Sequence, residues 1–237
     1  MKILAFDSTA RVASVAVCED ERLLAQYNID NGLTQSELLL PMAEDMLRSL
    51  KLTVGDIGLF AVTAGPGSFT GVRIGTAIVK GLAFGRSIPC SAVSTLEALA
   101  ENLRGVCGIV VPVMDARRSQ VYTAIFTSDA EGLTRVTPDE AISTDELAAR
   151  LKKYDGKAIY LVGDGYEVAK RALEAKGVHT ENTPPLLVNE NAYSVARVAY
   201  RAYMRGEYAT DADVLPTYLR VPQAERERLE RLKEEKK

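Results

Sequence analysis

The stretch from Val62 to Arg86, VTAGPGSFTGVRIGTAIVKGLAFGR, constrains this chain more than any other. An apolar strand end enters a Gly-Pro-Gly turn, and the turn enters a helix that carries Gly71, Gly75, Ala77, Gly81, Ala83 and Gly85. Each glycine inside a helix costs about 1 kcal/mol relative to alanine. A helix with several must recover that cost by bringing its backbone close to something else: a phosphate, the chain's own core, or another protein. Val72, Ile74, Ile78, Val79, Leu82 and Phe84 surround the helix, and Arg73, Lys80 and Arg86 are its charges. A helix that is apolar nearly all round is expected to be covered nearly all round.

The residues before it set the frame. Ile3 to Phe6, Val12 to Val17 and Leu23 to Ile29 read as three sequential strands joined by short turns, an antiparallel meander. Asp7, Ser8 and Thr9 occupy the first turn. Such a turn can present amides and hydroxyls to a phosphate, or it can satisfy itself through local side-chain bonds. Thr34 and Glu37 form a capping box for a helix to about Leu50, bent at Pro41, whose apolar face is wider than one core stripe. Ile57 to Thr63 is a continuous apolar strand, as inside a sheet covered on both faces.

The first strand and its aspartate recur later. ILAFD followed by VASVAV is echoed by VVPVMD followed by VYTAIF, where Asp115 takes the place of Asp7. Two related α/β halves account for the repeat. The expected division is residues 1–105 for the first half, 106–222 for the second and 223–237 for a charged tail.

Composition excludes several classes. The 237 residues carry a net charge of −3, against a stand-alone nucleic-acid binder. Three dispersed cysteines suit a reducing compartment. The strand at the N-terminus meets Asp7 too early for a signal peptide, and no run is apolar enough to span a bilayer, so the expectation is a soluble, cytoplasmic chain. The single histidine, His179, lies in a polar turn and leaves paired-histidine metal sites and catalytic triads without their parts. No catalytic or metal-ligating residue is assigned.

The loop Gly65-Pro66-Gly67-Ser68-Phe69-Thr70-Gly71 lacks the Gly-Lys-Ser/Thr of a Walker loop, and its third glycine comes one residue late for a dinucleotide fingerprint. A tight turn capped by Ser68 or Thr70 and an anion site at the helix N-terminus both remain open. Asp7, Ser8, Thr9, Gly65, Gly67, Ser68 and Thr70 are the candidate nucleotide-binding residues.

LAFDST near the start, TQSELLLPM, TAGPGSFTGVRIG, GLAFG and VSTLEALA together closely resemble the TsaB (YeaZ) family, specifically to about residue 120 and diffusely thereafter apart from LPTYLR. The resemblance implies an α/β fold of the ASKHA (actin-like ATPase) superfamily, with two RNase H-like halves of mixed sheets flanked by helices. It implies a part in tRNA threonylcarbamoyladenosine synthesis, at the adenosine beside the anticodon. The partners would be the catalytic paralogue TsaD, as a heterodimer, and the ATPase TsaE, with TsaC making the threonylcarbamoyl-adenylate; a homodimer would form without TsaD, and tRNA would be met only through the complex. TsaD-like proteins hold a metal with a His-x-x-x-His, where this chain has Thr95 and Leu99. The implied role is therefore a non-catalytic subunit with no cofactor of its own, ATP and magnesium belonging to the complex.

The contact with TsaD is expected on the helices at 34–50 and 70–86, with Leu39, Met42, Met46, Val72, Gly75, Ile78 and Val79 as interface candidates. A bulky residue at Gly75 is then expected to block the partner and leave the monomer folded. The alternative is an ASKHA-type small-molecule kinase or ATPase, with Asp7, Ser8, Thr9, Asp115 and Gly163-Asp164-Gly165 around phosphate and magnesium. Against it stands the Asp-Ala-Arg-Arg of the second turn. A metalloprotease is more remote, for want of histidines.

Overall fold

Two sheets, each begun by a strand that ends in an aspartate, organise the chain. The structure, a computed structural model, describes residues 1–220; the tail expected at 223–237 lies outside the described residues. The first sheet is built from β1 (Lys2–Asp7), β2 (Ala13–Glu19), β3 (Arg22–Ile29), β4 (Leu59–Gly65) and β5 (Cys90–Ser94), in the order β3-β2-β1-β4-β5. The meander pairs antiparallel, whereas β1–β4 and β4–β5 are parallel. The parallel strands need crossovers, and helices α1 (Gln35–Ser49) and α2 (Phe69–Ala83) supply them.

Side-chain alternation decides which helices cover which face. Leu4, Phe6, Val15, Val17, Phe60 and Val62 point to one side and pack under α1 and α2. Ile3, Ala5, Ala16, Cys18, Leu59 and Ala61 point to the other, beneath α7 (Ala192–Met204). Both faces are dry, as the continuous apolar run in β4 requires.

The second sheet has β6 (Gly108–Asp115) at its centre, flanked by β7 (Gln120–Thr123) and β8 (Phe126–Ser128), which carry the outer strands β9 (Leu133–Arg135) and β10 (Glu140–Ser143). On its other side β6 pairs parallel with β11 (Ile159–Val162), reached through α4 (Thr144–Leu151). The strand expected over Val121 to Phe126 is interrupted. Thr123 pairs with Val113 and Phe126 with Val110, so the gap falls opposite Val111 and Pro112, and Pro112 has no N–H to give. The Pro112 carbonyl instead accepts from Thr123 Oγ1 at 2.7 Å, and Ile125 N donates to Thr137 Oγ1 at 2.8 Å. Helices α4 and α5 (Tyr166–Glu174) cover one face of this sheet, and α3 (Thr95–Glu101) covers the other. A short α6 (Pro185–Val188) lies in the Pro-containing loop.

Residues from α7 onward fall within the span expected for the second half, yet they return to the first. Besides α7 on the first sheet, Ala209 pairs with Cys90 of edge strand β5, and Lys80 of α2 donates to the carbonyls of Ala212 and Val214. The helices α3 and α7 lie between the sheets and are joined through Glu101, whose side chain is 1% exposed. It receives Arg104 at 2.9 Å, Arg197 at 3.2 Å and Arg201 at 2.6 Å, so a buried carboxylate is matched by more than one cation.

Candidate functional site

Two places merit a functional reading: the junction of the halves beneath the Gly-Pro-Gly turn, and the outward face of α1 and α2. At the junction, Asp7 ends β1, Asp115 ends β6, Asp164 follows β11, and Glu190 precedes the N-cap of α7. Asp7 is 1% exposed and Glu190 2%. Thr9 folds back on Asp7, its amide donating to Oδ1 at 3.0 Å and its hydroxyl to the same oxygen at 2.6 Å. Asp7 Oδ2, Thr63 Oγ1, Thr95 Oγ1 and Glu190 Oε1 are buried and have no protein partner. Burial pushes the Glu190 carboxyl well above the usual carboxylate range, and the nearby Asp7 and Asp164 push it further. Burial likewise raises Asp7, against the Thr9 bonds that lower it. Asp164 is exposed at the surface, and partial burial of its carboxyl together with the nearby Asp115 raises it too.

A carboxyl raised in the folded state keeps a proton that the unfolded chain releases. Its stability contribution is therefore full below the unfolded-state value and falls as pH rises from there through the folded-state range. Glu190→Gln removes that loss. In urea denaturation the stability of the variant is expected to gain on that of the native chain as pH rises from 5 to 8. A gap that does not widen with pH contradicts the assignment.

The candidate nucleotide residues come together here, but they face one another. A phosphate at a strand–turn–helix junction needs free amides and room for its oxygens. Ser68 N donates to Thr9 O at 2.7 Å, Ser8 Oγ donates to Gly71 O at 2.8 Å, and Gly71 N donates to Ser68 Oγ at 3.2 Å. A Cβ at Gly71 would lie inside the contact radius of the Ser8 carbonyl oxygen, and one at Gly67 would press on Thr9. Gly65, at φ +112°, meets the Thr217 carbonyl in the same way, and the Gly65–Pro66 peptide is cis. Thr70 is exposed and apart from these contacts. These three donors are thus spent within the chain, and the backbone of Ser8 and Thr9 closes on Gly71 and Gly67. Magnesium keeps several waters, which the enclosed Asp7 cannot accommodate. These residues do not fit a magnesium–nucleotide.

The second turn is different again. Arg117, Arg118 and Ser119 stand at φ 64°, 55° and 55°, a left-handed run without glycine. Arg117 turns back to Asp115, its amide donating to Oδ1 at 2.7 Å and its guanidinium reaching Oδ2 at 3.2 Å.

On α1 and α2 most of the expected interface residues prove to be core. Leu39, Met42, Met46 and Val79 belong to the cluster beneath the helices, and Val72 is 1% exposed. The period of the helix turns them toward the sheet, so the expectation that they meet a partner is corrected. Gly75 is buried too: a Cβ there would stand 2.5 Å from Ser8 Oγ and 3.0 Å from Val62 Cγ2. A bulky residue at Gly75 therefore strikes the fold itself, contrary to the expectation of an intact monomer. Ile78 alone of the seven reaches the surface, half-buried. The outward stripe of α2 consists of Thr70, Arg73, Ala77, Gly81 and Phe84, all exposed, and a Cβ at Gly81 meets nothing within 4 Å. Beside it, Leu40 is 46% exposed and with Ala43, Leu47, Leu52, Val54 and Leu82 lines an apolar groove of about 460 Å³.

Cys18 and Cys90 are buried thiols pushed up to about 12 and about 11, with Cys107 exposed. His179 is exposed in its turn, and Thr95 and Leu99 are sealed in the core. No group of three metal-ligating side chains occurs among the described residues, and no helix among them is long and apolar enough to cross a membrane. Sequence reasoning missed Glu190, for which the polar run before α7 gives no motif. It also missed Ala77 and Gly81 as the outward pair, which the positions of Val72, Gly75 and Val79 on the opposite face would have marked.

Comparison with known proteins places these observations. Residues 34–227 match the family described as TsaD, tRNA N6-adenosine threonylcarbamoyltransferase. The chain is 32% identical over 232 residues to the tRNA threonylcarbamoyladenosine biosynthesis protein TsaB of Bacillus subtilis strain 168, covering 95% of this chain and 96% of that protein. It is 30% identical over 223 residues to the TsaB of Escherichia coli K12, covering 93% and 95%. Among solved structures, YeaZ from Pseudomonas aeruginosa superposes with a TM-score of 0.76 at 26% identity, covering 92% of this chain and 99% of that one. The expected α/β fold of two sheets flanked by helices is present, and it is the fold of YeaZ.

Proposed function

This chain belongs to the TsaB family, within the wider group that includes the TsaD-type transferases, and we propose that it is a non-catalytic subunit of the machinery that makes threonylcarbamoyladenosine in tRNA. It binds a TsaD-type paralogue and holds it competent; the chemistry, with its metal, ATP and magnesium, belongs to the partners. The carrying observation is the open Ala77–Gly81 stripe on α2 beside the apolar groove of α1. Small residues let a partner helix come close enough for backbone contact, and the adjoining apolar surface supplies the burial. The family model that matches this chain is named for the transferase itself, which supports a paralogue of the same fold as the partner. Without that partner the same stripe pairs with a second copy of this chain; a TsaE-type ATPase joins the assembled pair. The setting is the cytoplasm, where tRNA is met within the complex.

The kinase reading has less to stand on. Its first turn is closed on itself by the Ser8–Gly71 and Gly71–Ser68 bonds, and its second turn offers arginines where a kinase needs room for phosphate oxygens. Sedimentation of this chain with a purified TsaD-type protein tests the proposal. A 1:1 complex is expected at micromolar concentrations. Independent sedimentation of the two at concentrations well above that range would overturn it.

A further inference from the structure

Most arginines of this protein are spent on carboxylates, as Arg104, Arg150 and Arg201 are. Among the described residues, four have no carboxylate within 4.0 Å, and one of them, Arg86, caps the carbonyls of Leu82 and Phe84 at the end of α2. Of the other three, Arg73 and Arg220 are joined through segment 215–220, and Arg220 holds the turn that carries Arg118. Arg73 lies over the Phe69 ring, 3.8 Å from its centroid, and its Nε donates to Tyr218 Oη at 2.8 Å. Phe69 and Tyr218 are themselves stacked at 4.8 Å. Two residues on, Arg220 lies over Tyr122 at 5.6 Å and donates to the Ala116 carbonyl at 2.7 Å. Ala116 opens the left-handed run that presents Arg118 to solvent. Segment 215–220 is therefore a strap: Thr217 N holds the Ala64 carbonyl of the first half at 2.7 Å, and Arg220 holds the turn of the second.

We propose that Arg73, Arg118 and Arg220, set on Phe69, Tyr218 and Tyr122, form an RNA-binding face across the junction of the halves, by which this chain contacts the sugar–phosphate backbone of tRNA directly. The inference rests on the assignment of the chain to the tRNA-modifying complex and adds a contact of its own to it. Arg73 has its Nε engaged by Tyr218 and Arg220 one terminal nitrogen engaged by Ala116, and the remaining N–H groups of each guanidinium are the ones that would take a phosphate. The Tyr218 ring, 41% exposed, offers a face on which an unpaired base can stack. In the second turn, Asp115 is engaged by Arg117. A protein partner fits less well, because interface cores are depleted in charge, and the apolar surface suited to one lies further along α2. With a net charge of −3 the chain as a whole is not attractive to RNA, so the contact works within the assembled complex.

The test uses the full chain assembled with its TsaD-type partner, and fluorescence anisotropy with unmodified tRNA over a range of salt. The triple variant Arg73→Gln/Arg118→Gln/Arg220→Gln is expected to weaken tRNA binding at least tenfold at low salt. It is also expected to reduce the slope of log K against log salt by about two, since each lost phosphate contact removes roughly 0.7–0.9. The corresponding triple lysine variant keeps most of the slope, and Arg22→Gln, at an ion pair elsewhere, changes neither quantity. Unchanged affinity and slope in the glutamine variant would overturn the proposal. So would loss of the partner from that variant, which would identify the face as a protein interface. Either failure is distinct from failure of the subunit role, which is read as modification by the native partners independent of this chain.

Discussion

Gly71→Leu leaves this chain without a stable native state. Gly71 stands in the first turn of α2, where its missing side chain admits the Ser8 carbonyl, and Ser8 Oγ donates in return to the Gly71 carbonyl at 2.8 Å. The obstacle is backbone on both sides, so no rotamer change relieves it. Either α2 lifts from the β1–β2 turn or β1 leaves its place between β2 and β4. Both cost the packing of Phe6, Phe60 and Val62 under α2. A loss beyond about 4–5 kcal/mol is expected, a large part of the 5–15 kcal/mol that holds an ordinary domain. Circular dichroism of the purified variant should show no cooperative thermal transition near that of the native chain. A transition within a few degrees of the native one would contradict the packing described.

Gly81→Arg, ten residues further along the same helix, should do the reverse. Gly81 is exposed, and a Cβ there meets nothing. Replacing a helical glycine recovers up to about 1 kcal/mol of propensity, so the melting temperature is expected to stay level or rise. The new side chain stands on the stripe where a partner helix would approach. Association with the TsaD-type protein is expected to weaken by at least about 30-fold, the effect of losing one hot-spot contact of ~2 kcal/mol. Titration calorimetry measures it, with the thermal midpoint as control. Native affinity in Gly81→Arg would remove α2 from the interface.

The two variants also mark what could be read from sequence. The glycines required close backbone approach, and the sequence left open whether phosphate, core or partner was approached. The structure divides them: Gly65, Gly67, Gly71 and Gly75 meet the chain's own backbone and side chains, and Gly81 meets none. One-dimensional spacing carries no sign of this division, because the Ser8 turn that α2 covers lies more than sixty residues away. The repeated strand ending in Asp7 and Asp115 was legible, and it begins both sheets. Strands β9 and β10 were not, since they are three and four residues long and only partly buried, with little alternation to read. The return of α7 to the first sheet was hidden for another reason. Its face of Val195, Val198 and Ala199 announces burial without saying against which sheet. Apolarity marks six of the seven expected interface residues, and it is the same property that draws Leu39, Met46 and Val79 into the core. The small, exposed Ala77 and Gly81 carry the outward surface instead.

Reconstitution tests the subunit role most directly. Unmodified tRNA, threonine, bicarbonate and ATP are supplied with purified TsaC-, TsaD- and TsaE-type proteins, and threonylcarbamoyladenosine is quantified by mass spectrometry of the digested tRNA with this chain added or omitted. Modification is expected to appear only when the chain is present and to saturate at one equivalent per TsaD-type subunit. The same rate and extent of modification without the chain would contradict the account.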